Sequence, residues 1–115
     1  MESKEATERI LKISKSIRMV TICDMKGNLI YHARPKSIKS SLTPAESRKS
    51  LKISARNMSE RKKLARKLGK CKYTLAEYDK VKRLVIPAGA NHLFYVTCSP
   101  RYDHNKIIQK IRTFR

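Results

Sequence analysis

Three histidines and three cysteines are the residues best suited to metal binding or nucleophilic chemistry in this chain of 115 amino acids. His32, His92 and His104 lie in three different segments, and Asp103 is the only acidic residue adjacent to any of them. A metal site needs several hard or borderline donors converging on one point, which this spacing does not offer. Cys23, Cys71 and Cys98 are odd in number, far apart and set among apolar residues. The short C-x-x-C pairs of a zinc site are absent. The pattern points to buried thiols in a reducing cytoplasmic compartment. Nucleophilic catalysis needs a thiol or hydroxyl held against a His with an orienting acid. Cys98 and His104 are close in sequence, but a strand end and a helix start fall between them. The three glycines all sit in turns, so there is no Gly-rich phosphate loop. The residues therefore predict no catalytic group, no metal, no cofactor and no evident small-molecule substrate: not an enzyme.

Binding chemistry is better represented. Lys and Arg number 28 against 9 Asp and Glu, a formal charge of +19. Such a surplus matches an acidic partner: nucleic acid, an acidic protein or an anionic membrane surface. Ten of the cations lie between residues 48 and 70. Placed on a helix at about 100° per residue, Arg48, Lys49, Lys52, Arg56, Lys63, Arg66 and Lys67 gather on one arc. Lys52, Arg56, Lys63 and Lys67 stand nearly in line, and only Glu46 and Glu60 offset them. Like charges at i,i+4 each destabilise a helix by about 0.2–0.5 kcal/mol. The arc is thus either a solvated face or a set of phosphate contacts that releases counterions on binding. Leu51, Ala55, Met58 and Ala65 fall on another side, widened by Ile53, Leu64 and Leu68. They are candidate helix-packing or dimer contacts, serving either the chain's own sheet or a second copy. Stacking partners for bases are few. There is no Trp, Phe94 and Tyr95 belong to the most apolar segment, and Tyr31, Tyr73 and Tyr78 are the candidates for stacking. No helix-turn-helix, zinc-finger or RNA-recognition signature is present. A membrane-surface role lacks a basic helix with exposed Trp or Phe.

The elements that position these groups follow from periodicity and turn residues. Hydrophobic residues make up 40% and charged residues 32%, which suits one domain over 1–115. No stretch nears the roughly 20 apolar residues of a membrane span, and the first ten residues lack an apolar leader core. Ala6, Ile10, Ile13 and Ile17 have helical spacing, giving a first helix of about three turns. Residues 17–25 and 29–33 are apolar, β-branched runs around Lys26-Gly27-Asn28, a hairpin. A polar connector over 34–41 leads to Thr43-Pro44, where Thr43 and Glu46 form a capping box. The next Gly or Pro is Gly69, so one helix of about 25 residues is predicted over 44–68. Residues 72–78 and 81–86 form a second hairpin, 87–91 a turn, and 92–98 a central strand. A last helix carries Ile107, Ile108, Ile111 and Phe114, with Asp103 at its start and Arg112 and Arg115 at its end. The class is α+β: a five-stranded antiparallel sheet in the order helix, strand, strand, long helix, strand, strand, strand, helix.

This order resembles the roadblock/dynein-light-chain family, whose profilin-like fold is related to that of longin domains. Residues 21–30 look like its first hairpin, with Asp24 and Gly27 marking the turn. The strand with Lys72, Tyr73, Glu77 and Tyr78 is also similar to one in small archaeal proteins of unknown function. The roadblock resemblance implies a non-catalytic module that homodimerises through the long helix and an edge strand. It further implies a scaffold or regulator binding protein partners, small GTPases among them. One feature departs from that pattern: two strongly basic helices repel unless their basic arcs face outward. The alternative is a low-specificity nucleic-acid-binding protein using the basic face of the long helix.

Overall fold

The computed structural model describes residues 2–114; Arg115, expected near the end of the last helix, lies outside them. The first helix, α1 (Ser3–Leu11), buries Ala6, Thr7 and Ile10. It is shorter than its apolar spacing predicts. Ile13 lies beyond its end, and Ile17 opens a strand instead. The β-branched run that starts at Ile17 gains more from sheet pairing than from continuing a helix.

Strands β1 (Ile17–Asp24) and β2 (Leu29–Ala33) form the predicted hairpin. A register shift between Ile17 and Met19 against the partner strand inserts one extra residue, Arg18. With that bulge Ile17 and Val20 are both buried in one core. Strands β3 (Thr74–Glu77), β4 (Lys82–Ala88) and β5 (His92–Cys98) complete an antiparallel sheet of order β2-β1-β5-β4-β3. The second hairpin is present, though β3 is shorter than predicted. Pro87 continues β4 and pairs with Leu93 rather than starting a turn. Because β3 faces only residues 82–85, Pro87 sits where the outer side of β4 has no neighbour to receive an N–H.

Strand alternation sorts the core into two layers. Val20, Ile22, Leu84, Ile86, Phe94, Val96 and Cys98 face α1 and the last helix, α4 (His104–Ile111). Cys23, Val85, Leu93 and Tyr95 face the long helix α2 (Pro44–Lys63) on the other side. The α2 start is fixed by the predicted capping box: Glu46 N–H donates to Thr43 Oγ1 at 3.1 Å, and Thr43 N–H donates to Glu46 Oε1 at 2.9 Å. Its end differs from the prediction. The helix stops at Lys63, Leu64 forms a cap, and a separate turn, α3 (Ala65–Leu68), runs to Gly69 at φ 86°. Beneath α3 nothing is buried, and Leu68 is 79% exposed. Without a sheet to pack on, the i,i+4 cation pairs Lys62–Arg66 and Lys63–Lys67 meet no offsetting burial.

The β1–β2 turn locks onto α2. Asp24 accepts from the N–H groups of Lys26 at 2.8 Å and Asn28 at 2.9 Å. Gly27, at φ 84°, is buried against the helix backbone; a Cβ there would lie 2.7 Å from Lys52 Cα. Only glycine satisfies both the left-handed φ and that approach. Gly27→Ala is expected to destabilise the fold by about 2–5 kcal/mol, measured by chemical denaturation; a loss within experimental error would reject the contact.

Three carboxyls are held below the ordinary carboxylate range by hydrogen bonds they accept. These are Asp24 from the Asn28 N–H, Glu46 from the Thr43 N–H, and Asp103 from the Asn105 N–H. A carboxyl depressed in the folded state contributes stability above its unfolded pKa and loses it as pH falls. The thermal midpoint should therefore drop below about pH 4. The D24N/E46Q/D103N triple variant should melt lower at neutral pH and show a flatter acid decline.

Candidate functional site

Helix α2 has a buried side and an exposed arc with different fates. Leu51, Ala55 and Met58 are buried on the chain's own sheet, against Cys23, Val85, Leu93 and Tyr95. Ala65, grouped with them by spacing, lies past the break at Leu64 and is only half-buried. Arg48, Lys49, Lys52, Arg56, Lys63, Arg66 and Lys67 are all exposed. Among the described residues, Lys63 is the one of these seven that meets a carboxylate, Glu60 at 3.0 Å with both side chains largely exposed. The break at Leu64 places Arg66 and Lys67 on the short turn α3, so the expected line of four cations spans the long helix and that turn.

Clefts open on both flanks of α2. The flank toward the edge strand β3 is bordered by Ile53, Asn57, Leu75 and Tyr78, with Glu46, Lys49 and Arg61 around it. Ile53 is 45% exposed, Leu75 36% and Tyr78 57%. The sheet order leaves the outer side of β3 without a neighbouring strand. Apolar groups beside an open strand edge form a surface that pairs readily with another chain.

The other flank, toward β2 and the 34–42 connector, encloses a larger cleft of about 790 Å³. Here the sheet face beneath α2 turns polar. Arg83 Nη1 donates to Ser50 Oγ at 3.1 Å and to Tyr95 Oη at 3.2 Å, and those two hydroxyls are 2.8 Å apart. The guanidinium carbon lies 5.6 Å from the Tyr95 ring centre and 6.0 Å from that of Tyr78. Thr21 Oγ1 is 2.9 Å from His32 Nδ1. Desolvation against the sheet, and secondly the Arg34 charge, lower the His32 pKa. Thr97 Oγ1 and Arg83 Nε are buried and have no hydrogen-bond partner among the described residues.

Residue-type reasoning missed this cluster. The available signal was Arg83 in a strand whose alternation places it on the same face as Val85, and Thr97 between two apolar residues of the most buried strand. The groups it did single out are dispersed. Cys23 is buried, its thiol pushed up to about 11 by burial and then by the Asp24 charge, and burial raises Cys98 too. Such thiols stay protonated and poorly nucleophilic. His104 meets Tyr73 ring to ring at 6.1 Å, tilted by 54°. Among the described residues no three His, Cys, Asp or Glu side chains are placed to share a metal ion. No helix among them is long and apolar enough to cross a membrane.

No family profile and no curated protein sequence matches the chain. Solved structures do. The gliding protein MglB from Thermus thermophilus superposes with a TM-score of 0.73 at 18% identity, over 93% of this chain and 79% of that one. The roadblock/LC7 domain from Streptomyces avermitilis gives 0.75 at 10% identity, over 97% and 90%. Myxococcus xanthus MglB gives 0.72 at 17% identity, over 97% and 89%. The likeness is one of fold, and it agrees with the element and sheet order: the chain is a roadblock-like α+β domain.

Proposed function

We propose that the chain is a cytoplasmic, non-catalytic dimerisation and regulatory scaffold of roadblock type. It binds protein partners, a small GTPase among them. The observation that carries this reading is the open β3 edge beside Ile53, Leu75 and Tyr78, an apolar surface that the described residues leave uncovered. With Leu51, Ala55 and Met58 occupied by the sheet, the second copy meets the β3 flank of α2 instead. That arrangement leaves the exposed basic arc, apart from Lys49 at its border, free of the paired sheet. The likeness to MglB supports it in kind, since one MglB structure has a tetrameric arrangement.

Sedimentation equilibrium should find a dimer at micromolar concentration. Lys49 and Arg61 border the flank, so added salt should tighten association by screening like charges. Ile53→Glu and Leu75→Glu, both at exposed positions, should each weaken the dimer roughly 30-fold or more with an unchanged circular dichroism spectrum. A strict monomer with no protein partner would overturn the reading.

A second reading has an observation of its own: six exposed cations of the α2–α3 arc meet no carboxylate among the described residues. Such a surface binds DNA or RNA phosphates with low sequence preference. Affinity for mixed-sequence nucleic acid should then fall steeply with salt. Lys52, Arg56, Lys63 and Lys67 replaced together by Gln should flatten the log–log slope by about 3–4, at about 0.9 per contact. An unchanged slope would exclude this face as the contact surface.

A further inference from the structure

We propose that the cleft between α2 and the β2 side of the sheet binds a small phosphorylated molecule with a flat or aliphatic body. Its volume, about 790 Å³, falls in the range of small-molecule sites, roughly 300–1,000 Å³. Arg34, Lys39, Arg48, Lys52 and Arg83 border it, and no acidic residue lines it. A single carboxylate would leave most of that charge unmatched; a phosphate, nearly doubly charged at neutral pH, matches it better.

Two groups at the base of the cleft are left incomplete by the protein. Thr97 is 5% exposed, lines the cleft and has no hydrogen-bond partner for its hydroxyl among the described residues. Arg83 is half-buried; its Nη1 is fixed by Ser50 and Tyr95, and its buried Nε has no partner among the described residues. An unpaired buried hydroxyl and an unpaired buried guanidinium N–H are both unfavourable. Both atoms are closed to water as they stand; a side-chain rotation that turns them to the cleft gives phosphate oxygens two donors, and the planar guanidinium suits that geometry. Above the polar base, Met19, Leu29, Leu42 and Leu51 supply apolar walls. These favour a ligand with an apolar body over free phosphate.

Titration of the ¹⁵N-labelled protein with adenosine 5′-monophosphate tests the assignment, with adenosine and inorganic phosphate as comparison probes. The nucleotide should give saturable shifts at Thr21, Leu29, Arg83 and Thr97, and bind roughly tenfold or more tightly than either comparison probe. Arg83→Gln should weaken it roughly tenfold. Arg34→Gln, at an exposed position that leaves the fold intact, and Thr97→Val should each weaken it about threefold. The K63Q/R66Q/K67Q control lies outside the cleft and should change nothing. The proposal is overturned by shifts that spread over residues 61–68 and vanish in that control. Adenosine binding as tightly as the nucleotide overturns it too, as does the absence of saturable shifts at millimolar nucleotide.

Discussion

The seating of α2 on the sheet is the constraint from which the rest follows. Leu51 and Met58 are buried against Cys23, Val85, Leu93 and Tyr95, each contributing roughly 1.5–3 kcal/mol. Ala55 between them is fully buried and small enough to let the helix lie close. The β1–β2 turn then presses Gly27 against the backbone at Leu51 and Lys52. Hydrophobic burial sets the height of the helix, and the turn sets its position along the sheet. With both fixed, the basic arc has nowhere to face but solvent.

The same seating divides the sheet face. Its apolar end lies under the helix and its polar end, with Thr21, Arg83 and Thr97, opens beside it. The two flanks of α2 therefore differ: one has an open strand edge beside Ile53, Leu75 and Tyr78 with Glu46, Lys49 and Arg61 around it, and the other has a base of hydroxyls and Arg83 under apolar walls, with no carboxylate lining it among the described residues. Arg83 borders both, with Ser50 of α2 and Tyr95 of β5 as its hydrogen-bond partners. A ligand on one flank and a partner on the other would meet the same side chain, which offers a physical route for one to bias the other.

Local signals in the sequence are legible where local chemistry decides the outcome. The Asp24–Asn28 turn, the Thr43–Glu46 box and the Gly69 stop each rest on hydrogen bonds or φ values within a few residues. The exposed arc is legible for the same reason, since it depends on helical spacing alone. Failures cluster where distant packing decides. Ile13 and Ile17 have helical spacing, but the sheet claims Ile17. The break at Leu64 falls where no residue of the following turn is buried, which periodicity does not encode. Pro87 remains in β4 because β3 is too short to reach it. The Arg83–Ser50–Tyr95 cluster joins residues 12 to 45 positions apart, and only the register of two strands and the helix laid across them brings it together.

On the proposed reading, a second copy covers the exposed apolar surface through the β3 edge. Hydrogen–deuterium exchange of the 74–77 segment, followed as a function of protein concentration, tests it most directly. Protection of that segment should rise across the micromolar range while the β2 edge stays unchanged. Exchange at 74–77 that is equally fast at every concentration would contradict the account.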